Sequence, residues 1–161
     1  MDFEERLGKA IKRGENRRKE AADEAAREAM SEQDCQRMHA DLRNQVVKRI
    51  EECLQAVADR FPGFRYETII DEQGWGARIS RDDLMLEANR TRNNYFTRLQ
   101  MVIRPYSSYH VLDLAAKATI RNRKLYTRSH YKPLAEVDID SFVELVDVWA
   151  IEFAEGFSSN F

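Results

Sequence analysis

Four carboxylates, Asp71, Glu72, Asp82 and Asp83, and three histidines, His39, His110 and His130, are the side chains most obviously equipped for chemistry. Brought together by a hairpin, the two acidic pairs would offer hard oxygen ligands to a divalent ion. Beside a basic surface, such a site would suit a metal-dependent hydrolase acting on nucleic acid. No spacing enforces it, because Asp and Glu are also ordinary turn residues. His39 reads as a surface or edge residue of a helix, and His110 falls on the inward parity of a strand, where a hydrogen-bonded core role is expected. His130 lies near Arg128 and Lys132 and is the one histidine placed for function. The sequence holds no GxxxxGK or GxGxxG loop, no GxSxG and no HExxH. No cofactor, metal ligand set or catalytic residue is therefore expected.

A denser pattern lies in KLYTRSHYK, residues 124–132, where Lys124, Tyr126, Arg128, His130 and Lys132 occupy alternate positions. On a β-strand these share one face. Two preceding segments alternate in the same way. Residues 95–104 set Phe96, Arg98, Gln100, Val102 and Arg104 against Tyr95, Thr97, Leu99, Met101 and Ile103. Residues 109–121 set Tyr109, Val111, Asp113, Lys117 and Arg121 against His110, Leu112, Leu114, Ala116, Ala118 and Ile120. The links between the three are short, which makes them an antiparallel meander.

If two helices cover the apolar side of that sheet, the other side becomes a basic, aromatic surface. The candidate partner-binding residues are Phe96, Arg98, Arg104, Tyr109, Lys117 and Arg121, joined from the last strand by Tyr126, Arg128, His130 and Lys132. Tyr, Phe and Arg supply interface hot spots, which points to a protein partner or a second copy of the chain. The same composition would serve single-stranded nucleic acid or another polyanion, with rings stacking on bases and cations on phosphates. No RNP-like run accompanies it. The plain alternative is the wet side of an antiparallel sheet, with Arg and Lys stems lying over aromatics.

The elements that must position this surface follow from periodicity. Residues 2–30 read as a charged helix in which Phe3, Leu7 and Ile11 recur every four and then give way to alanines. Ser31-Glu32-Gln33-Asp34 resembles a helix start with Ser31 as N-cap. Behind it Cys35, Met38, Leu42, Val46, Ile50, Cys53, Leu54, Val57 and Phe61 form an apolar stripe, ended by Pro62-Gly63. From Phe64 the period is two, with a turn at Asp71–Gly74 and a shift of parity after Asp82-Asp83 that predicts a bulge or a tight turn. A last helix, capped by Asp138 or Asp140, puts Phe142, Leu145, Val146, Trp149, Phe153 and Phe157 on one face. The fold class is therefore α+β: a long N-terminal helical region, an antiparallel meander of five or six strands, and a C-terminal amphipathic helix sharing one sheet face with the long helix. Residues 1–30 form a charged helical arm and residues 31–161 a single domain.

Composition is consistent with this. Of 161 residues, 43% are hydrophobic and 34% charged, enough for a core beneath an ionic surface. The net charge of −2 hides a segregation: residues 1–86 carry −3, residues 87–132 carry +8 and residues 133–161 carry −7. No apolar run spans a bilayer, so no membrane partner is expected. The acidic opening Met1-Asp2-Phe3-Glu4-Glu5 has no apolar signal-peptide region. Cys35 and Cys53, about 27 Å apart along a helix, cannot pair with each other. A cytoplasmic setting is expected. The functional expectation is a non-catalytic interaction module that binds a protein partner, or a second copy of itself, through the open sheet face and the N-terminal helical arm.

Overall fold

The computed structural model describes residues 2–86, 88 and 90–159, leaving aside the side chains of residues 27–30. Helix α1 (Phe3–Arg60) is followed by strands β1 (Arg65–Asp71), β2 (Gly74–Leu86), β3 (Arg92–Ile103), β4 (Val111–Ile120) and β5 (Arg123–Pro133). A short 3-10 turn (Leu134–Glu136) leads to helix α2 (Ile139–Ser159). The strands form one antiparallel sheet in the order β1-β2-β3-β4-β5, an α+β meander. The chain divides into two units, Met1–Arg37 and Met38–Phe161.

In the second unit the apolar parity of the sheet is covered by both helices. Ile79, Leu99, Met101, Ile103, Leu112 and Leu114 are fully buried there with Val46, Ile50 and Leu54 of α1 and Phe142, Val146 and Phe153 of α2. Each such side chain contributes about 1.5–3 kcal/mol on leaving water. Phe64, Phe153 and Phe157 meet edge to face or stacked at 5.1–6.4 Å. The helices are tied to each other where Arg49 donates twice to Asp147, at 2.7 and 2.9 Å. Asp138 caps α2, its carboxylate accepting from the Asp140 N–H and the Ser141 hydroxyl.

Several expectations need correction. Ser31 starts no helix: α1 runs through it from Phe3. His39 is no surface residue but is 1% exposed, because the buried line of α1 runs through His39, Val46, Ile50 and Leu54 while Met38 stays exposed. His110 lies outside β4 at φ +55° and stacks on Tyr106, which meets His39 edge to face.

Neither a bulge nor a turn occurs at Asp82-Asp83. The β2–β3 register is unbroken from Trp75↔Ile103 to Leu86↔Arg92. Beyond Arg81 and Thr97 these two strands form a ribbon that neither β1 nor β4 flanks. No third strand flanks the ribbon there, and Leu84 and Leu86 stand exposed.

Candidate functional site

The helix-free side of the sheet is built from rows of directly opposed residues, which share a face in antiparallel pairs. One row, Ile69–Gly76–Val102–Ala115–Ser129, is small and largely apolar. The next, Glu67–Arg78–Gln100–Lys117–Thr127, is polar. Arg78 pairs with Glu67 at 3.6 Å and donates to the Gln100 carbonyl at 2.9 and 3.0 Å. The Gln100 amide in turn donates to Gln73 at 3.0 Å. The chain of bonds therefore turns aside from Gln100 to Gln73 and, among the described residues, does not reach Lys117. On the other side of the small row, Asp113 lies opposite Tyr131 and faces Arg104 at 3.6 Å.

Over the small row lies a cavity of about 320 Å³ whose walls include Gln73, Gln100, Arg104 and Lys117. A second, of about 620 Å³, adjoins it through Arg104 and Pro105 and is walled by Tyr109, Val111, Asp113 and Tyr131. Together they make a groove along β3 and β4. Arg98, one rung further, lays its guanidinium 5.1 Å from the Phe96 ring centre. Among the described residues neither Arg98 nor Lys117 has a carboxylate within ion-pair range. One oxygen of Asp113, Oδ1, is buried with no hydrogen-bond partner among those residues.

Of the residues expected on this face, Phe96, Arg98, Arg104 and Lys117 are there. Tyr109 precedes β4 and borders the larger cavity, 83% exposed. The contribution expected from β5 is on the other side. Tyr126 is buried and donates its hydroxyl to the Trp149 carbonyl at 2.7 Å. Arg128 grips Glu152 with both terminal nitrogens, Nη2 to Oε1 at 2.9 Å. His130 meets Phe142 edge to face at 5.0 Å. Lys132 is opposed to Leu112 and shares their parity.

The cause is a one-residue slip. Arg121 and Asn122 both have positive φ (50° and 69°), forming a two-residue type I′ turn that pairs Ile120 with Arg123 and Thr119 with Lys124. An unbroken ladder would then place Leu125 opposite Ala118. Instead Ala118 is opposed to Tyr126, so Leu125 is extra and every later residue changes side. Arg121 itself lies in the turn, its guanidinium over Tyr95 at 4.8 Å and within 2.9 Å of the Met85 sulfur.

The slip brings to the groove a residue that alternation had turned inward, Tyr131, 64% exposed. Its one trace in the sequence is the adjacent apolar pair Leu125-Tyr126, which strict alternation does not produce. Asp113 was legible on this face by parity, whereas Gln73, in the β1–β2 turn, was not.

The acidic residues do not form one cluster. Asp71 and Glu72 sit at one end of the β1–β2 hairpin, where the Asp71 carboxylate accepts from the Gln73 N–H. Asp82 and Asp83 lie near the other end of β2, engaged by Arg65, Asn94 and Arg81. Among the described residues no three His, Cys, Asp or Glu side chains come together as metal ligands, so the premise of a shared acidic site fails.

No family model matches this chain, and neither a curated protein nor a solved structure does. Among the described residues no helix is long and apolar enough to cross a membrane.

Proposed function

We propose that this protein is a non-catalytic interaction module whose helix-free groove holds an acidic, extended segment of a protein partner. The observation that carries the proposal is the pair of cations, Arg98 and Lys117, which among the described residues have no carboxylate partner and stand beside a groove bordered by Tyr109 and Tyr131. Arg104, exposed at the junction of the two cavities, adds a third positive group. Carboxylates of an incoming strand would meet these cations, while its apolar side chains would lie over Val102, Val111 and Ala115. Electrostatic matching of this kind sets partner choice and association rate more than affinity. A reducing, cytoplasmic setting belongs to the same reading and agrees with two free cysteines.

The test uses a fluorescent peptide of alternating Glu and Leu and a single-stranded oligonucleotide of similar length. Saturable peptide binding at about 50 mM salt, weakened as salt rises, is expected. The variant Arg98→Glu/Lys117→Glu should lose it while melting as the wild type does. Absence of peptide binding, equal binding by the variant, or tighter binding of the oligonucleotide would each overturn the proposal.

A further inference from the structure

The first unit, Met1–Arg37, carries a surface of a different kind. Every described side chain from Asp2 to Ala26 is exposed, including Phe3 (75%), Leu7 (46%) and Ile11 (54%) at one-turn spacing. An α-helix with two internal glycines, Gly8 and Gly14, is handicapped by roughly 1 kcal/mol at each. Such a helix gains its stability chiefly by packing an apolar edge against something. The charges indicate what that is. Residues 6–19 contain seven cations and one anion, whereas residues 20–26 contain three anions and no cation. A parallel pairing of two arms would set the cationic stretch against itself. An antiparallel pairing can set Lys12 and Arg13 against the anionic stretch, leaving Arg17, Arg18 and Lys19 about the two-fold axis.

We infer that this arm binds the same arm of a second copy, antiparallel, making the protein a dimer through α1. One register places Ile11 opposite Ala25, Lys12 opposite Glu24 and Arg13 opposite Asp23. Gly14 then faces Ala22, so the bulky edge of one helix meets the small edge of the other and the backbones approach closely. Isologous contacts of this type close on themselves and generate no further assembly. The inference stands apart from the groove, which lies in the other unit.

Sedimentation of the full chain tests it. The wild type should dimerise, and Leu7→Asp/Ile11→Asp should be monomeric with unchanged melting of the sheet domain. The reversal Lys12→Glu/Arg13→Glu should lose the dimer, and adding Asp23→Lys/Glu24→Lys in the same chain should restore it. Parallel arms would not be rescued in this way. A wild type that stays monomeric up to about 100 μM overturns the inference. So does failure of the four-residue reversal to restore the dimer, or loss of the dimer in Arg98→Glu/Lys117→Glu.

Discussion

Asp147 is held by two donors from α1, the Arg49 guanidinium at 2.7 and 2.9 Å and the Cys53 thiol at 3.1 Å. The hydrogen bond from Arg49 pulls its carboxyl below the ordinary value of 3.8, with burial opposing. Burial and the hydrogen bond to that carboxylate push the Cys53 thiol up to about 12, so it stays protonated and unreactive at neutral pH. Glu152 is lowered in the same way by Arg128. A carboxylate depressed by folding stabilises the protein above its unfolded pKa, and that contribution is lost as pH falls through the folded value. Asp147→Asn should therefore cost about 1–2 kcal/mol at neutral pH. The difference from wild type should shrink as pH falls below about 4. Urea midpoints for both proteins at neutral and acid pH measure this; a gap of constant size would remove the ion pair as its source.

At the scale of elements, the extra residue Leu125 decides which side chains of β5 meet α2. Its own side chain also turns toward that helix, since a methyl placed at Gly156 would lie 3.6 Å from Leu125 and 3.1 Å from Ile120. Deleting Leu125 would make Lys124 and Tyr126 consecutive and leave Thr119↔Lys124 and Ala118↔Tyr126 as they are. The deletion variant should fold with the Tyr126–Trp149 bond intact and lose about 1–2 kcal/mol, the packing of one half-exposed leucine. Denaturant titration gives the loss, and collapse of the fold would show that the bulge is required. The two amphipathic helices, the meander and the covered parity of β3 and β4 were all legible, because burial on one side imposes a period that composition must obey. The face of β5 was hidden because a slip of a single residue changes every later side while leaving composition untouched. The β2–β3 ribbon misled in the opposite sense: its leucines, Leu84 and Leu86, stand exposed and mark no buried parity. Ser31 resembled a cap, yet capping is worth only about 1 kcal/mol and does not end a helix whose backbone bonds continue. Arg104 and Lys117 in the groove, and Arg98 beside it, could be read from alternation; Gln73 and Tyr131 could not, since a turn and a bulge place them.

At the scale of the whole molecule, the division at Arg37 separates an exposed helix from a domain with its own core. Removing residues 1–37 should leave the urea midpoint of the remaining chain within about 0.5 kcal/mol of the full protein, the range of surface changes. Circular dichroism during unfolding would check this, and a larger fall would mean that the arm supports the core. The order of pairing carries one more consequence. All five strands pair with their neighbours in the chain, so the sheet can assemble as it is made, but the 21 residues of α2 are synthesised after all of them. At roughly 5–20 residues per second, Tyr126, whose hydroxyl bonds the Trp149 carbonyl, waits about one to four seconds for the aromatic lid that buries it.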